Sequence, residues 1–258
     1  MNLYTEKLKQ HFRTQPHFSK EDVSAFYNTL GSKVSELDLF WYLYALKQES
    51  VINKVNEHQY KLMGESKPIF SPKIESDLWA INSVLTGKFQ LEDYCIWSSD
   101  WFNDLMVHQV VRNFTVIEVE SGVSESLFYH LRDMGYKDTF LMLVKADEML
   151  LERYVFEAQN PIVITKIISK SPVKKIAQNG TSMKVPKLEK LLVDLFCDDA
   201  LLAAYKGASQ QTIFENALTN YDINFKTLFA YAERRKKETA LKTYLHQYFQ
   251  TELKQLLE

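Results

Sequence analysis

The sequence has few cysteines and no long apolar run. Its two cysteines, Cys95 and Cys197, lie far apart in the chain, and neither belongs to a Cys-x-x-Cys or Cys/His cluster. This spacing excludes a disulfide framework and a zinc site, so both thiols are predicted to be buried. No stretch approaches the length of a membrane span, and the first residues lack the apolar core of a signal peptide. We therefore expect a cytoplasmic protein with no membrane partner.

The chain also lacks an excess of positive charge. Thirty-one Lys and Arg residues stand against 33 Asp and Glu residues, which gives a formal net charge of -2. This balance excludes a basic field over the whole molecule. Any contact with nucleic acid therefore requires a local basic patch.

Motifs of the common enzyme classes are missing as well. No Gly-x-Ser-x-Gly, Walker or dinucleotide-binding motif occurs, and none of the six histidines lies at a metal-ligand spacing from another. The segment Gly180 to Ser182 is not followed by the acid pair with which a nucleotidyltransferase holds its metal ions. We therefore expect no enzymatic activity, no metal and no cofactor.

Length and composition are those of an ordinary globular protein. The 258 residues, of which 46% are hydrophobic and 25% charged, are enough for a substantial core. The stretch SKPIFSPK carries two prolines and small polar residues between two patterned regions, which is typical of a linker. We predict an α+β protein with a small domain over residues 1–66, a linker over 67–73 and a larger α+β domain over 74–258 that is helical from residue 186.

The small domain is predicted to contain three short helices and then a hairpin. Ser19 with Asp22, and Ser35 with Asp38, have the spacing of reciprocal helix caps, and apolar residues follow each pair at helical intervals. Val51 to Leu62 forms two brief strand patterns. This order predicts a winged helix-turn-helix, whose third helix enters the major groove of double-stranded DNA. The predicted DNA contacts are Lys33, Tyr42, Lys47, Asn53, Lys54, His58 and Lys61.

Local charge leaves a second interpretation open. Residues 1–67 contain nine basic and eight acidic residues, a difference of +1, and the third helix begins with Glu36 and Asp38. These two acids would face DNA phosphates unfavourably. A protein-interaction scaffold that never touches DNA is therefore the alternative hypothesis.

The larger domain is predicted to hold a small mixed sheet. A β-α-β unit is expected between Phe114 and Val144, with Ser124 capping its helix, and a further strand over Ile162 to Ile168. The following region, which contains Asn179 and Gly180, is expected to be a loop.

Two glutamates of the predicted strand FTVIEVE suggest a third hypothesis. Glu118 and Glu120 alternate along it, so both carboxylates are expected on one solvent-facing side, as in the metal site of a nuclease. The lysine of such a site is absent, because Gly122 occupies its position. A metal-dependent nuclease is accordingly the third hypothesis.

The densest positive charge lies near the C-terminus. The run ERRKKE places four basic residues at the junction of the last two predicted helices. Such a run is usually a solvated helix end, and the alternative is a contact with phosphate or with an acidic partner. The residues concerned are Arg234, Arg235, Lys236 and Lys237.

A segment between the mixed region and the helical region organises the rest of the chain. From Val185 to Phe196 it carries apolar residues at helical spacing, with Pro186 in the predicted first turn and Glu189, Lys190 and Asp194 as the expected solvated edge. Leu192 and Phe196 are expected in the core.

The order Glu-Lys-x-Leu-x-Asp-Leu in this segment resembles the C-terminal domain of the AbiE-type antitoxins of bacterial type IV toxin–antitoxin systems, which act in abortive infection. The matching residues are Glu189, Lys190, Leu192, Asp194 and Leu195. The resemblance implies a winged-helix transcriptional regulator that represses its own operon by binding operator DNA. It also implies that the protein counteracts a cognate toxin resembling a nucleotidyltransferase.

Overall fold

The protein is of the α+β class and divides into two compact units, Met1–Lys67 and Pro68–Glu258. The computed structural model describes residues 3–15, 17–31, 34–63, 67–89, 91–142 and 151–249. Each unit has its own hydrophobic core.

The described part of the first unit contains helices and an antiparallel sheet with the strand order β1-β3-β2. In chain order the elements are α1 (Thr5–Phe12), β1 (Phe18–Ser19), α2 (Lys20–Thr29), α3 (Glu36–Gln48), β2 (Ile52–Lys54) and β3 (Gln59–Leu62).

Local sequence explains where two of these helices begin. Both predicted capping boxes are present, since Ser19 and Ser35 each accept a hydrogen bond from the backbone N–H of the aspartate three residues on and each aspartate accepts one in return. The strand β1 was not predicted. It pairs Phe18 with Tyr60, and both rings are buried in the core of the unit.

The second unit contains a four-stranded sheet, a separate hairpin and a helical end. Its elements are α4 (Ser76–Lys88), β4 (Tyr94–Ser98), β5 (Thr115–Val119), α5 (Ser121–Asp133), β6 (Thr139–Met142), β7 (Ile162–Lys166), β8 (Val173–Gln178), β9 (Thr181–Pro186), α6 (Leu188–Cys197), α7 (Ala208–Asn220), α8 (Phe225–Arg234) and α9 (Glu238–Tyr248). Short 3-10 helices span Ser99–Leu105 and Ala203–Tyr205, and a π-helical turn spans Leu151–Val155.

The larger sheet has the order β4-β5-β7-β6. β4 is antiparallel to β5, whereas β5, β7 and β6 run parallel. The predicted β-α-β unit is therefore present as β5-α5-β6, with β7 inserted between its two strands. The end of its predicted second strand, residues 143 and 144, lies outside the described residues.

Three local predictions were wrong. α5 begins at Ser121, and Ser124 lies inside the helix, where its hydroxyl donates to the Ser121 carbonyl. The expected loop around Asn179 and Gly180 is the turn of the β8–β9 hairpin. Pro186 ends β9 and does not start a helix.

α6 lies at the centre of the second unit. All residues from Leu188 to Leu195 are buried, including Glu189, Lys190 and Asp194. The prediction that these three residues form a solvated edge was therefore wrong. A helix enclosed on every side belongs to the core, and its charged groups need partners there.

Candidate functional site

The most conspicuous group of charged side chains in the second unit is buried around Lys190. Its ammonium Nζ lies 2.5 Å from Glu118 Oε1 and also donates to Asp194 Oδ2, one helical turn along α6. The Lys190 side chain is 1% exposed. β5 supplies the first carboxylate and α6 supplies the second, so the cluster joins the sheet to this helix.

Three further side chains complete the hydrogen bonding of the two carboxylates. The indole Nε1 of Trp97 donates to Glu118 Oε1 at 2.9 Å, and the hydroxyl of Tyr231 donates to Asp194 Oδ1 at 3.0 Å. Arg235 Nη1 lies 3.3 Å from the same Asp194 oxygen. Two cations therefore balance two anions, as burial of charge requires.

The protonation of the cluster argues against a reactive lysine. Burial by itself would lower the pKa of Lys190, but the carboxylates of Asp194 and Glu118 raise this pKa well above its ordinary value. Burial likewise raises the pKa of the neighbouring Cys95 thiol well above its ordinary value. A charged ammonium and a neutral thiol are poor nucleophiles, so neither group is poised for nucleophilic attack.

Other residues of the segment from Val185 to Phe196 also have structural contacts. Glu189 is buried, and its Oε1 accepts from the backbone N–H of Asn224 at 2.9 Å. Asn224 in turn caps α8 by accepting from the Thr227 N–H. Leu192 and Leu195 are core residues. Phe196, which was expected in the core, is only partly buried.

The arrangement expected for a nuclease is not present. Glu118 is buried and bound to Lys190, whereas Glu120 lies beyond the end of β5 and is exposed. The expectation of two carboxylates on one solvent face was therefore wrong. Within the ranges that the structure describes, no group of three or more His, Cys, Asp or Glu side chains could hold a metal ion.

The basic run near the C-terminus does not form one exposed patch of four. Arg235 is 21% exposed and turns inward to Asp194. Arg234, Lys236 and Lys237 are exposed, and Arg234 Nη1 lies 3.5 Å from Ser169 Oγ. Three of the four predicted contact residues thus remain available to a partner.

In the first unit, the predicted DNA contacts fall into different environments. Lys33 lies outside the described residues. Tyr42 is half-buried, and its ring stacks on Tyr27 with centroids 4.2 Å apart, which conflicts with a role for Tyr42 in contacting a base edge. Lys47 is exposed in the last turn of α3.

The other predicted contacts lie on the β2–β3 hairpin. All residues from 53 to 59 are exposed. Asn53 pairs directly with Lys61 on the outer side of the hairpin, whereas Lys54 pairs with Tyr60 and so shares the side that faces the core. His58 is exposed in the turn, where its backbone N–H donates to Asn56 Oδ1.

The outer face of α3 is apolar. Leu37, Phe40, Trp41 and Tyr44 are 68%, 57%, 51% and 50% exposed. Ring centroids of Phe40 and Trp41 are 5.5 Å apart, and those of Trp41 and Tyr44 are 5.9 Å apart. The helix is rich in aromatic residues, and its packing decides which rings point outward.

Residues 38–251 match the model of a family described as "Family of unknown function (DUF6577)". The chain belongs to this family. No curated protein matches it. The match begins within α3 and extends to residue 251. It therefore includes both the hairpin of the first unit and the Lys190 cluster of the second unit in the DUF6577 chain.

Two further features of the DUF6577 chain are the length of its helices and a surface cavity. None of its described helices is both long and apolar enough to cross a membrane. A cavity of about 280 Å³, lined by Val111–Phe114, Val155–Gln159 and Pro161, has Arg112 and Glu157 as its titratable groups. These two form an exposed salt bridge of 2.9 Å, so the cavity offers no buried acid or base for catalysis.

Proposed function

We propose that the protein is a winged-helix regulator of the antitoxin type, which binds DNA through its first unit and counteracts a nucleotidyltransferase-like toxin through its second. The observation that carries the proposal is the topology of the first unit. Three helices lead into an exposed hairpin, and the short strand β1 pairs with β3 to fix the hairpin against the helices. This element order supports a winged helix-turn-helix.

Within this domain, the hairpin is a better DNA contact than α3. The helix begins with acidic residues and exposes an apolar face, which gives it little attraction for phosphates. The hairpin instead exposes amide, imidazole and ammonium groups on Asn53, His58 and Lys54, and it carries the partly buried Lys61 on its outer side. A two-stranded ribbon fits the major groove, so this element can meet DNA without α3.

The proposed antitoxin activity belongs to exposed side chains of the second unit. The segment that resembles the antitoxins is buried, so its residues support the fold and leave partner contact to the surface. Arg234, Lys236 and Lys237 form the nearest exposed group of like charge on the helical end. An acidic surface on a toxin is the partner that this charge fits.

The DNA-binding proposal is tested by fluorescence anisotropy with the protein's own promoter at low salt. We expect Lys61→Ala and Asn53→Ala to weaken binding, because both side chains lie on the outer side of the hairpin. Lys7→Ala is the matched control, since Lys7 is an exposed lysine of the same unit that lies on α1 and not on the hairpin. Absence of binding by the unmodified protein at low salt contradicts the proposal.

The antitoxin proposal is tested by co-expression with a nucleotidyltransferase-like toxin. Arg234→Glu combined with Lys237→Glu is expected to abolish rescue, while Lys61→Ala retains it. Arg235 is left unchanged because its replacement would disturb the buried cluster. Full rescue by the double charge reversal would place the toxin contact elsewhere and overturn this assignment.

A second candidate function is protein docking by the first unit without DNA. The exposed apolar face of α3 favours it specifically. Absence of DNA binding at low salt, together with loss of rescue in Trp41→Ser, would support this candidate over the regulator.

A further inference from the structure

The outer face of α3 has no role in DNA contact by the hairpin, and its composition points to a partner. We propose that α3 pairs antiparallel with α3 of a second copy of the chain, around a two-fold axis. This inference concerns assembly and goes beyond the proposed function.

The geometry of the helix separates the two faces cleanly. Leu39, Leu43 and Leu46 fill the core of the unit from one side of α3. At about 100° per residue, Leu37, Phe40, Trp41 and Tyr44 fall within a stripe roughly 100° wide on the other side. Such a stripe is the usual packing surface of a helix, yet here it is exposed.

Charged residues flank this stripe in a self-complementary way. Glu36 and Lys47 are both exposed, and the 11 residue steps from one to the other amount to three turns and about 20°, so both lie along one edge of the stripe. Glu36 marks the first turn of α3 and Lys47 marks the last. Neither makes a salt bridge to any residue that the structure describes.

Symmetry then selects the direction of pairing. A two-fold axis perpendicular to the helices, near Trp41, places the same edge of both copies on the same side and reverses their ends. Glu36 of each copy therefore meets Lys47 of the other, and this happens twice. Parallel pairing around an axis along the helices would instead place this edge of the two copies on opposite sides of the interface, so Glu36 and Lys47 could not meet, and it would align the two helix dipoles.

Other occupants fit the face less well. DNA would meet four apolar side chains and two acids at the start of the helix. An anionic membrane would be repelled by the same acids. An unrelated protein could cover the apolar stripe, but nothing in such a contact requires Glu36 and Lys47 to complement each other across it.

The size of the stripe predicts a modest affinity. Half-exposed aromatic side chains and one leucine give roughly 400 Å² per copy, or about 800 Å² in the pair, which is below the size of a standard stable interface. Residues beside the stripe must supply the rest. The dimer should therefore form and dissociate with protein concentration.

Sedimentation velocity of the full chain over a range of concentrations tests the pairing. We expect a reversible monomer–dimer equilibrium, and Trp41→Ser should raise the dissociation constant about tenfold or more, because a central tryptophan usually dominates an interface. Tyr129→Ser is the matched control, since Tyr129 is an exposed aromatic residue of the second unit. Circular dichroism checks that each variant is folded.

Charge reversal distinguishes a second copy from any other occupant. Glu36→Lys alone and Lys47→Glu alone each create two repulsive pairs in the homodimer and should weaken it about tenfold. Mixing the two variants should restore dimers, because every 36–47 pair in the mixed species is again attractive. The double variant Glu36→Lys with Lys47→Glu should dimerise like the unmodified chain.

Three results would overturn the proposal. The first is a protein that stays monomeric at the highest concentration, and the second is a dimer that Trp41→Ser leaves intact. The third is a mixture of the two charge variants that dimerises no better than each variant alone. The last result would remain decisive even if the aromatic variants were poorly folded.

Discussion

Lys190 on α6 and Glu118 on β5 form an ion pair, with 2.5 Å between Nζ and Oε1, although 72 residues separate them in the chain. Asp194 binds the same ammonium, and it also contacts Tyr231 of α8 and Arg235, which directly follows α8. The helix α6 therefore holds the sheet and the helical end of the second unit together. Its charged side chains are less than 10% exposed and have their partners inside the protein.

Lys190→Met should destabilise the protein by about 3–5 kcal/mol, because it leaves two carboxylates buried without their cation. Urea unfolding measures this loss. Lys242→Met is the control, since Lys242 pairs with Glu238 at 2.6 Å on an exposed helix face and should cost less than about 1 kcal/mol. Adding Glu118→Gln and Asp194→Asn to Lys190→Met should recover part of the stability, because the buried carboxylates are then replaced by neutral amides. An equal loss of stability in Lys190→Met and Lys242→Met would contradict a structural role for the cluster.

Arg235 and Arg234 are neighbours in sequence but should behave differently. Arg235→Ala removes a largely buried partner of Asp194 and should cost about 1–3 kcal/mol. Arg234→Ala removes an exposed side chain and should change stability by less than about 0.5 kcal/mol. Thermal unfolding of the two variants compares them directly, and similar midpoints would show that the Arg235–Asp194 contact contributes little.

Features that depend on residues close together in the sequence could be predicted, whereas features that depend on distant residues could not. The caps at Ser19 and Ser35 need only a residue three positions away, and both were predicted. The spacing of Lys190 and Asp194 resembled an exposed helix pair, because the burial that decides their role comes from distant elements. No pattern within α6 identifies Glu118 as the third member of the cluster.

The β8–β9 hairpin, by contrast, could have been predicted, because its sequence contains a strong turn signal. Asn179-Gly180 lies between two alternating stretches, and Asn-Gly is the strongest short signal for a two-residue hairpin turn. Both residues have positive φ, 50° and 78°. Placement of β1 could not be predicted in the same way, since two residues carry no periodicity and pair only through the tertiary fold.

Gly180→Ala should therefore destabilise the protein by about 1 kcal/mol, because alanine adopts positive φ only with strain. Gly122→Ala provides the control. Gly122 lies in the first turn of α5 without positive φ, and an added Cβ there meets nothing within 4 Å. The second variant should be neutral or slightly more stable in chemical denaturation, and an equal loss for both would remove the conformational explanation.

The two cysteines should be unreactive in the folded protein. Burial raises the pKa of Cys95 well above its ordinary value, and burial also raises the pKa of Cys197. A raised pKa means that the reactive thiolate is scarce at neutral and mildly alkaline pH. Labelling with a thiol reagent should follow global unfolding in urea, so rapid labelling of either thiol in native buffer would contradict the burial of that site.

The hairpin and the α3 dimer together make a quantitative prediction for DNA binding. Each lysine that contacts a phosphate contributes about 0.9 to the slope of log K against log salt concentration. Lys61→Ala should lower that slope by about 0.9 if one chain binds, but by about 1.8 if a two-fold dimer presents two hairpins. Titrations at several salt concentrations separate these values.

Glu36→Lys, which weakens the dimer without changing the hairpin, should reduce the affinity for DNA at low protein concentration, and mixing with Lys47→Glu should restore that affinity. Unchanged affinity in the Glu36→Lys variant, together with a slope change of about 0.9 for Lys61→Ala, would show that the hairpin binds DNA as a monomer.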